Sequence, residues 1–226
     1  MKPLVIIPAR GGSKRLPDKN IKPLKEKPLI HYTIEAAREV FDDSVICVST
    51  DDESIKKVAE QTGIRVPFLR PESLATDVAD SRSVLLHAYN FYKKNKNYIA
   101  DTIVLLQPTS PFRNGTHINE CLQLYEDEVD QVLSVKKTDS NPYFLLFEED
   151  EDGYLKKVLS GDFTRKQDCP TVYEINGAIY VINVKSLLDS DTLVFSRTKK
   201  YVMNKESSVD IDDEFDFNLA EFILTK

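Results

Sequence analysis

The chain has 226 residues, of which 41% are hydrophobic and 30% charged, and its formal net charge is −7. This apolar fraction is enough for a packed core and excludes global disorder, and the length suits one large domain. No stretch approaches the roughly 18 consecutive apolar residues of a membrane helix, and the acidic balance argues against a nucleic-acid-binding protein.

The beginning of the chain and its cysteines set further expectations. Residues 1–8 contain too short an apolar run for a signal peptide and predict a first strand instead. Cys47, Cys121 and Cys169 are far apart and odd in number, which argues against a disulfide framework. Neither they nor the three histidines have the spacing of a zinc site. We therefore expect free thiols and a cytoplasmic location.

Strand and helix patterns alternate through the first 135 residues. Short β-branched runs predict strands at residues 4–8, 45–49, 66–69, 102–107 and 131–135. Helical spacing of apolar residues predicts helices at about 29–41, 52–62, 80–94 and 115–127. Such alternation is typical of parallel strands joined by right-handed crossovers, so we predict an α/β fold with a doubly wound, mostly parallel sheet.

The pattern changes after residue 135. Strands are predicted at residues 143–147, 154–159 and 173–182 without helices between them, which indicates an antiparallel hairpin arm at about 139–171. A last helix is predicted from about Asp213, because apolar residues recur at helical spacing from Phe215 onward. We expect residues 1–226 to form a single domain that carries this arm.

A glycine loop follows the first predicted strand and lies in the most basic part of the sequence. The first 30 residues carry a net charge of +6, so the remaining chain carries −13. Gly11 and Gly12 allow backbone N–H groups to form an anion nest, and Arg10, Lys14 and Lys19 add positive charge. The loop has neither the P-loop nor the dinucleotide spacing of glycines. It predicts a phosphate site, with a surface turn of solvated lysines as the alternative.

Four further positions carry polar groups that suit a binding site. Gln107 ends a predicted strand, where ligands bind in open parallel sheets, although it could instead satisfy backbone groups. Asp210 and Asp212 lie on one side of an extended segment and suit magnesium, with a solvated helix N-terminus as the alternative. Asn176, before a glycine, fits a site or a hairpin turn about equally well.

Four sequence blocks extend these observations to a known family. They are Ile7-Pro8-Ala9-Arg10-Gly11-Gly12-Ser13-Lys14 with Pro17, Lys19-Asn20-Ile21 and Lys27-Pro28-Leu29-Ile30, then Leu106-Gln107-Pro108-Thr109-Ser110-Pro111-Phe112-Arg113, then Asn176-Gly177-Ala178-Ile179-Tyr180, and last Ser208-Val209-Asp210-Ile211-Asp212-Asp213-Glu214-Phe215-Asp216. In content and order they resemble the motifs of the acylneuraminate cytidylyltransferases, also called CMP-sialic acid synthetases.

The resemblance implies an activity and an assembly. It implies magnesium-dependent transfer of CMP from CTP to the anomeric hydroxyl of a nine-carbon 2-keto sugar acid, N-acetylneuraminate or a close analogue, with release of pyrophosphate. The fold implied is the nucleotide-diphospho-sugar transferase type. The assembly implied is a homodimer in which the arm at 139–171 reaches the partner's active site. Neither nucleic acid nor a membrane is an expected partner.

The resemblance also assigns roles to individual residues. Nucleotide contacts fall on Arg10, Gly11, Gly12, Ser13, Lys14, Lys19, Asn20, Arg70 and Ser83. Sugar contacts fall on Gln107, Arg165, Asn176 and Tyr180, with Lys166 as an alternative carboxylate anchor to Arg165. The catalytic set is Arg10, Lys19, Gln107, Asp210 and Asp212, and the magnesium ligands are Asp210 and Asp212. The histidines are badly placed for a general base, so that role is left unassigned.

The sequence departs from the family pattern at several positions. Arg15 and Asp18 stand where glycine is common, Glu174 replaces a basic or amide residue, and residues 141–144 contain no lysine for the sugar. The last two differences concern the identity of the sugar acid rather than the nucleotide chemistry. The alternatives are a cytidylyltransferase for the eight-carbon acid Kdo, a sugar-1-phosphate nucleotidyltransferase and a non-catalytic nucleotide-sensing protein of the same fold.

Overall fold

A computed structural model describes residues 1–75 and 80–226. The helices and strands of these residues are, in chain order, β1 (Pro3–Pro8), β2 (Pro23–Leu24), β3 (Lys27–Pro28), α1 (Leu29–Arg38), β4 (Ile46–Ser49), α2 (Glu53–Glu60), α3 (Ser81–Asn95), β5 (Thr102–Leu106), α4 (Gly115–Gln123), β6 (Gln131–Lys137), β7 (Phe147–Glu149), β8 (Leu155–Lys157), β9 (Tyr173–Asn183), α5 (Val184–Asp189), β10 (Thr198–Val202) and α6 (Glu214–Ile223). Within these two ranges, no helix is both long and apolar enough to cross a lipid bilayer.

The central sheet has six strands in the order β10-β6-β9-β5-β1-β4. β1 pairs in parallel with β4 and β5, and β6 pairs in parallel with β10. β9 is antiparallel to both of its neighbours, β5 and β6. The predicted α/β fold with a mostly parallel sheet is therefore confirmed. Because the other five strands share one direction, their carboxyl ends lie at the same edge of the sheet.

Helices cover both faces of this sheet, which is why β1 is apolar on both sides. Val5 and Ile7 are fully buried in a cluster that includes residues of α1, α2 and α4. Leu4 and Ile6 are fully buried in a second cluster with residues of α3. The continuous apolar run of β1 is what a central strand covered on both faces requires.

Aspartates cap the helices that frame the sheet edge. Asp52 accepts hydrogen bonds from Ser54 N at 2.6 Å and Ile55 N at 3.2 Å, and α2 follows it. Asp80 precedes α3, and Asp213 precedes α6 in a reciprocal capping box. Such caps satisfy helical N–H groups that lack intrahelical partners. The predicted starts of these three helices are confirmed to within a residue.

Two predicted strands differ from the structure. The prediction at 66–69 is wrong, because only Leu69 forms a single bridge, to Thr50. Pro67 has no N–H to donate to a ladder, which prevents regular pairing there. The prediction at 143–147 is displaced, because Leu145 N donates to Asn141 O at 2.8 Å in a turn and β7 begins only at Phe147.

The predicted arm region holds a small hairpin outside the main sheet. β7 and β8 pair antiparallel to each other, and neither strand joins the six-stranded sheet. The predicted strands at 154–159 and 173–182 correspond to β8 and β9. The sequence patterns did not predict α5, β10 or the two-residue strands β2 and β3.

Candidate functional site

A cavity of about 330 Å³ opens at the carboxyl edge of the sheet. It is bounded by the loop after β1, the residues after β5 and the beginning of α3. The lining residues are Pro8, Arg10, Ser13, Lys19, Asn20, Arg70, Leu74, Ser81, Val84, Leu85, Leu105, Gln107, Pro108 and Thr109. Six predicted site residues are thus brought together: Arg10, Ser13, Lys19, Asn20, Arg70 and Gln107.

The glycines shape the loop that forms one wall of this cavity. Gly11 N donates to Asp51 Oδ1 at 3.2 Å, and a Cβ at Gly11 would lie only 2.8 Å from Asp52 Oδ2. Gly12 adopts a left-handed φ of +63°, a conformation that favours glycine. Asn20 Nδ2 donates to Arg10 O at 2.9 Å and closes the loop on itself. The predicted loop is therefore held against the carboxyl end of β4. Lys14 is exposed on it.

Arg70 also lines this cavity and is almost completely buried. Its Nη2 donates to Asp51 Oδ1 at 3.1 Å. Burial lowers the pKa of Arg70, whereas the Asp51 carboxylate raises it. The same carboxylate oxygen accepts from Gly11, so Asp51 joins the glycine loop to Arg70.

Ser83 is placed differently from its predicted role. It does not line the cavity, and its hydroxyl donates to Asp80 Oδ2 at 2.9 Å in the cap of α3. Ser81, two residues earlier, lines the cavity instead. The assignment of Ser83 to the nucleotide therefore stays a prediction without a contact that favours it.

Gln107, Gly177 and Asp210 meet at one point beside the cavity. Gly177 has a left-handed φ of +74°, and a Cβ there would lie 2.8 Å from Gln107 Oε1 and 3.7 Å from Asp210 Oδ2. Gly177 thus lets a side chain from the end of β5 and one from the acidic C-terminal segment approach each other. Residues that are 103 positions apart in the sequence form one polar group.

Asp210 is the acid of this group, and its surroundings shift its pKa. Burial raises the pKa of Asp210, and the nearby Asp212 charge raises it further, while Thr109 and the Lys19 charge act in the opposite direction. Among the described residues, Asp210 Oδ1 is buried without a hydrogen-bond partner. A buried carboxylate oxygen without a partner is costly unless a cation or donor reaches it.

The basic loop and the acidic segment contact each other directly. Lys19 Nζ donates to Ile211 O at 2.7 Å and to Asp212 Oδ1 at 3.2 Å. Arg15 Nη1 donates to Asp212 Oδ2 at 3.3 Å, and Lys22 forms an ion pair with Glu214 at 2.8 Å. The two oppositely charged parts of the sequence therefore lie face to face at the site.

The acidic pair fits a magnesium ion in its chemistry. The unpartnered Asp210 Oδ1 and the half-exposed Asp212 carboxylate are hard oxygen donors of the kind that magnesium prefers. Within residues 1–75 and 80–226, no group of three or more potential ligands is present. Two carboxylates are enough, since magnesium usually keeps several waters and binds substrate phosphates.

A second cavity, of about 400 Å³, lies on the other side of Asp210. Its lining combines basic, acidic and hydroxyl side chains: Lys136, Lys137, Thr138, Asp139, Ser140, Glu174, Lys205, Ser208, Val209, Asp210, Asp216 and Leu219. Lys166 reaches its rim through an ion pair with Asp139 at 3.6 Å. Arg165 instead pairs with Asp168 at 2.7 Å on the exposed arm and does not line either cavity.

Asn176 has a buried position that differs from the predicted sugar contact. Its Oδ1 accepts from Ser134 Oγ at 2.6 Å, and its Nδ2 donates to Ser208 Oγ at 2.9 Å. The side chain is 3% exposed and is therefore engaged by the protein itself. Tyr180, also on β9, is half-buried, and burial together with the Asp210 charge raises the pKa of its hydroxyl.

Two groups of site residues were not predicted. Asp51 and Asp52 follow β4 after one intervening residue, Thr50, and their position beyond the end of a buried strand is the signal that could have identified them. Arg113 belongs to the second sequence block but received no role, and it lies fully buried behind Gln107. No local pattern distinguishes a buried arginine from an exposed one.

Comparisons with known proteins agree with this geometry. A family model described as cytidylyltransferase matches residues 4–214. An N-acylneuraminate cytidylyltransferase of Streptococcus agalactiae is 40% identical over 220 residues, which cover 96% of this chain and 52% of that protein. A CMP-N,N'-diacetyllegionaminic acid synthase of Legionella pneumophila is 35% identical over 225 residues, covering 99% of this chain and 97% of that protein.

A solved structure extends the likeness to the fold. A CMP:2-keto-3-deoxy-manno-octonic acid synthetase complexed with CTP superimposes with a TM-score of 0.71 at 18% identity, covering 100% of this chain and 99% of that one. The predicted fold type is thereby confirmed. The chain spans about half the length of the N-acylneuraminate cytidylyltransferases that it matches.

Proposed function

The chain belongs to the cytidylyltransferase family, and we propose that it transfers CMP from CTP to the anomeric hydroxyl of a nine-carbon 2-keto sugar acid, with release of pyrophosphate. N-acetylneuraminate or a close analogue is the proposed acceptor, in line with the names of the two relatives. The observation that carries the proposal is the meeting of Gln107, Gly177 and Asp210 between two cavities, one of them lined by the basic loop.

The first cavity is the proposed nucleotide site. The base would occupy the part near Arg70, Leu74 and Ser81, where a buried guanidinium can donate to a carbonyl oxygen. The phosphates would lie toward Arg10 and Lys19, which are flanked by Ser13, Lys14 and Asn20 and by the backbone of Gly11 and Gly12. Phosphoryl transfer depends mainly on such positioning and charge neutralisation.

The second cavity is the proposed acceptor site. A sugar acid there would present its anomeric oxygen beside Asp210 and Gln107, opposite the α-phosphorus of the nucleotide. Lys136 and Lys205 line this cavity, and Lys166 lies at its rim. Each of them pairs with Glu174 or Asp139 in this structure, so the carboxylate of the acid would replace or join one of these partners. Arg165 remains an alternative anchor only if the arm adopts another position.

We propose that Asp210 and Asp212 hold magnesium, which would supply charge neutralisation on the phosphates and lower the pKa of the incoming hydroxyl. Lys19 and Arg15, which contact Asp212 in this structure, would then be released toward the phosphates. Lys19 lines the nucleotide cavity, so its Nζ needs only a local movement to exchange a carboxylate for a phosphate oxygen. The departing pyrophosphate would be neutralised by Arg10, Lys14 and Lys19.

We further propose a homodimer formed through the arm at 139–171. The small hairpin exposes large apolar side chains that water disfavours, including Tyr154 at 72% and Leu155 at 69% exposure.

A cytoplasmic location is proposed because Cys47, Cys121 and Cys169 are all free and Cys47 and Cys121 are buried thiols.

The proposed activity is tested with a panel of acceptors. The full chain is incubated with CTP, magnesium and N-acetylneuraminate, its deaminated analogue, legionaminate, pseudaminate or Kdo, and pyrophosphate and CMP-sugar are quantified by phosphorus NMR. We expect equimolar pyrophosphate and CMP-sugar with at least one nine-carbon acid.

The same panel separates the alternatives. Turnover with Kdo alone would support the eight-carbon acid, and turnover with sugar 1-phosphates in place of free acids would support a sugar-phosphate enzyme. CTP binding without turnover of any acceptor would support a nucleotide-sensing protein. Each of these three results would contradict the proposed function.

A further inference from the structure

Arg113 is a buried cation at the back of the proposed site. Its side chain is 2% exposed, and within residues 1–75 and 80–226 it forms no ion pair with a carboxylate. Burial alone lowers its pKa to about 9, so the guanidinium is still charged at neutral pH. A buried arginine without a counter-charge is unusual, because the cost of desolvation is ordinarily offset by a paired anion.

Arg113 contacts two backbone oxygens, one just beyond the end of β5 and one on β9, and a threonine hydroxyl on α1. Nη2 donates to Gln107 O at 2.8 Å and to Thr33 Oγ1 at 2.8 Å, and Nε donates to Ala178 O at 3.2 Å. Among the described residues, Nη1 is buried without a partner. Gln107 is the first residue after β5, and Ala178 directly follows Gly177 on β9.

These contacts lie where the β5–β9 ladder ends. The last recorded pair of that ladder toward the site is Leu106 with Ile179. Beyond it, the carbonyls of Gln107 and Ala178 are bound by the Arg113 guanidinium instead of by the opposing strand. The planar fork of the guanidinium therefore fixes the spacing of two backbone segments that no longer pair with each other.

The contacts of Arg113 also determine where Gln107 lies relative to Gly177 and Asp210. Gln107 is held from behind through its carbonyl, while its side-chain Oε1 faces Gly177. A shift of either strand end would separate Gln107 from Gly177 and from the Asp210 carboxylate. Misplacement by as little as 1 Å can cost about 100-fold in rate when a group must align two reactants.

We propose that Arg113 is a positioning residue for CMP transfer, which fixes Gln107 against Gly177 so that the Gln107 amide stays between nucleotide and acceptor. This inference rests on the proposed function of the site. Arg113 touches neither cavity, so its effect on the reaction would be transmitted through Gln107 and the β9 backbone.

The test measures the steady-state kinetics of the Arg113→Lys variant, which keeps the positive charge but loses the planar guanidinium that bonds to both backbone segments. We expect kcat to fall at least about tenfold while KM for CTP stays within about twofold, because the nucleotide contacts are unchanged. Arg38→Lys is the matched control, since Arg38 is a surface-facing arginine paired with Asp43, and its kcat should equal that of the wild type.

A double-variant comparison separates positioning through Gln107 from a merely structural role. If Arg113 acts through the Gln107 side chain, Arg113→Lys should lower kcat less than about threefold further in a Gln107→Ala background. Equal losses in both backgrounds, or an unchanged kcat in the single variant, would overturn the proposal. Absence of turnover by the wild-type chain would instead contradict the proposed function, and this role with it.

If the Arg113→Lys variant does not fold, the kinetics of Thr33→Val are measured instead. The substitution keeps the side-chain volume close to that of threonine and removes the hydroxyl that accepts from Arg113 Nη2 and donates to Gln107 O at 3.4 Å. We expect a smaller loss of kcat in the same direction, again with KM for CTP unchanged. A raised KM with unchanged kcat would overturn the positioning role.

Discussion

Two sets of polar contacts surround the site, and they differ in how accessible they are. Behind it, Asn176 and Arg113 are almost fully buried and are bonded to the interior of the sheet. In front of it, Lys19 and Arg15 contact Asp212, whose side chain is 54% exposed. The buried contacts fix geometry, whereas the exposed ion pairs are weak and exchangeable.

Because of this difference in accessibility, we expect the two sets of contacts to contribute differently to stability and to substrate binding. An exposed ion pair contributes about 0–1 kcal/mol to stability, so substrate phosphates can replace it at small cost. Removing one partner of a buried hydrogen bond costs about 1–3 kcal/mol, because the other partner is left unsatisfied. Substitutions in front should therefore change catalysis and binding, and substitutions behind should also change stability.

Asp212→Ala should have the largest effect of the substitutions in front. We expect kcat to fall at least about 100-fold, corresponding to about 2.7 kcal/mol for one electrostatic contact in the transition state. The unfolding free energy should change by about 1 kcal/mol or less, since Asp212 is half-exposed and Lys19 keeps its hydrogen bond to Ile211 O. Pyrophosphate release at the wild-type rate would contradict the magnesium assignment.

Asn176→Ala tests the buried set. It leaves Ser134 and Ser208 without their partner, so we expect the unfolding free energy in urea to fall by about 2–3 kcal/mol. Asn90→Ala, at an exposed position of α3, is the control and should change stability by less than about 0.5 kcal/mol. A raised KM for the sugar acid with unchanged stability would restore Asn176 as a sugar contact.

Lys19→Ala should weaken nucleotide binding. Loss of one charged hydrogen bond to a phosphate predicts a rise of about tenfold in KM for CTP, with a smaller change in the KM of the acid. Lys22→Ala is the matched control, because Lys22 pairs with Glu214 and does not line the nucleotide cavity. Equal effects of the two substitutions on KM for CTP would contradict the assignment of Lys19 to the phosphates.

Asp210→Asn should change stability with the opposite sign. The pKa of Asp210 is raised by burial, so the folded protein holds this proton more tightly than the unfolded chain does. Stability is then lost as pH rises through the folded-state pKa, so the wild type is less stable at pH 7 than it is when Asp210 is protonated.

The asparagine variant should therefore be more stable than the wild type at pH 7 and close to it below about pH 4, near the usual pKa of aspartate. Thermal unfolding followed from pH 3 to pH 8 measures this difference. Magnesium should raise the Tm of the wild type and not that of the variant. A variant less stable than the wild type at pH 7 would contradict the assigned burial.

The two sets also differ in how well sequence predicts them. The loop after β1 and Gln107 were predicted because a position after a buried strand is a local property of the chain. For the contact of Lys19 with Asp212, the sequence indicated only that the loop after β1 and the C-terminal segment carry opposite charges. Asn176 was assigned to the sugar, because no local pattern shows that its amide is bonded to Ser134 and Ser208.

The same limit applies to the secondary structure. Long periodic helices such as α3 were predicted to within a residue or two, whereas the strand at 66–69 was not, because pairing depends on the partner as well as on composition. Arg113 was part of a quoted motif, but its burial follows from the packing of α1 and β9 around it.

The most direct test of the exchange between the two sets is a crystal structure of the chain with CTP and magnesium. We expect phosphate oxygens within hydrogen-bond distance of Arg10 and Lys19, a broken contact between Lys19 and Asp212, and unchanged hydrogen bonds from Arg113 to Gln107 and Ala178. A nucleotide bound outside the first cavity, or Lys19 still on Asp212 with no phosphate contact, would contradict it.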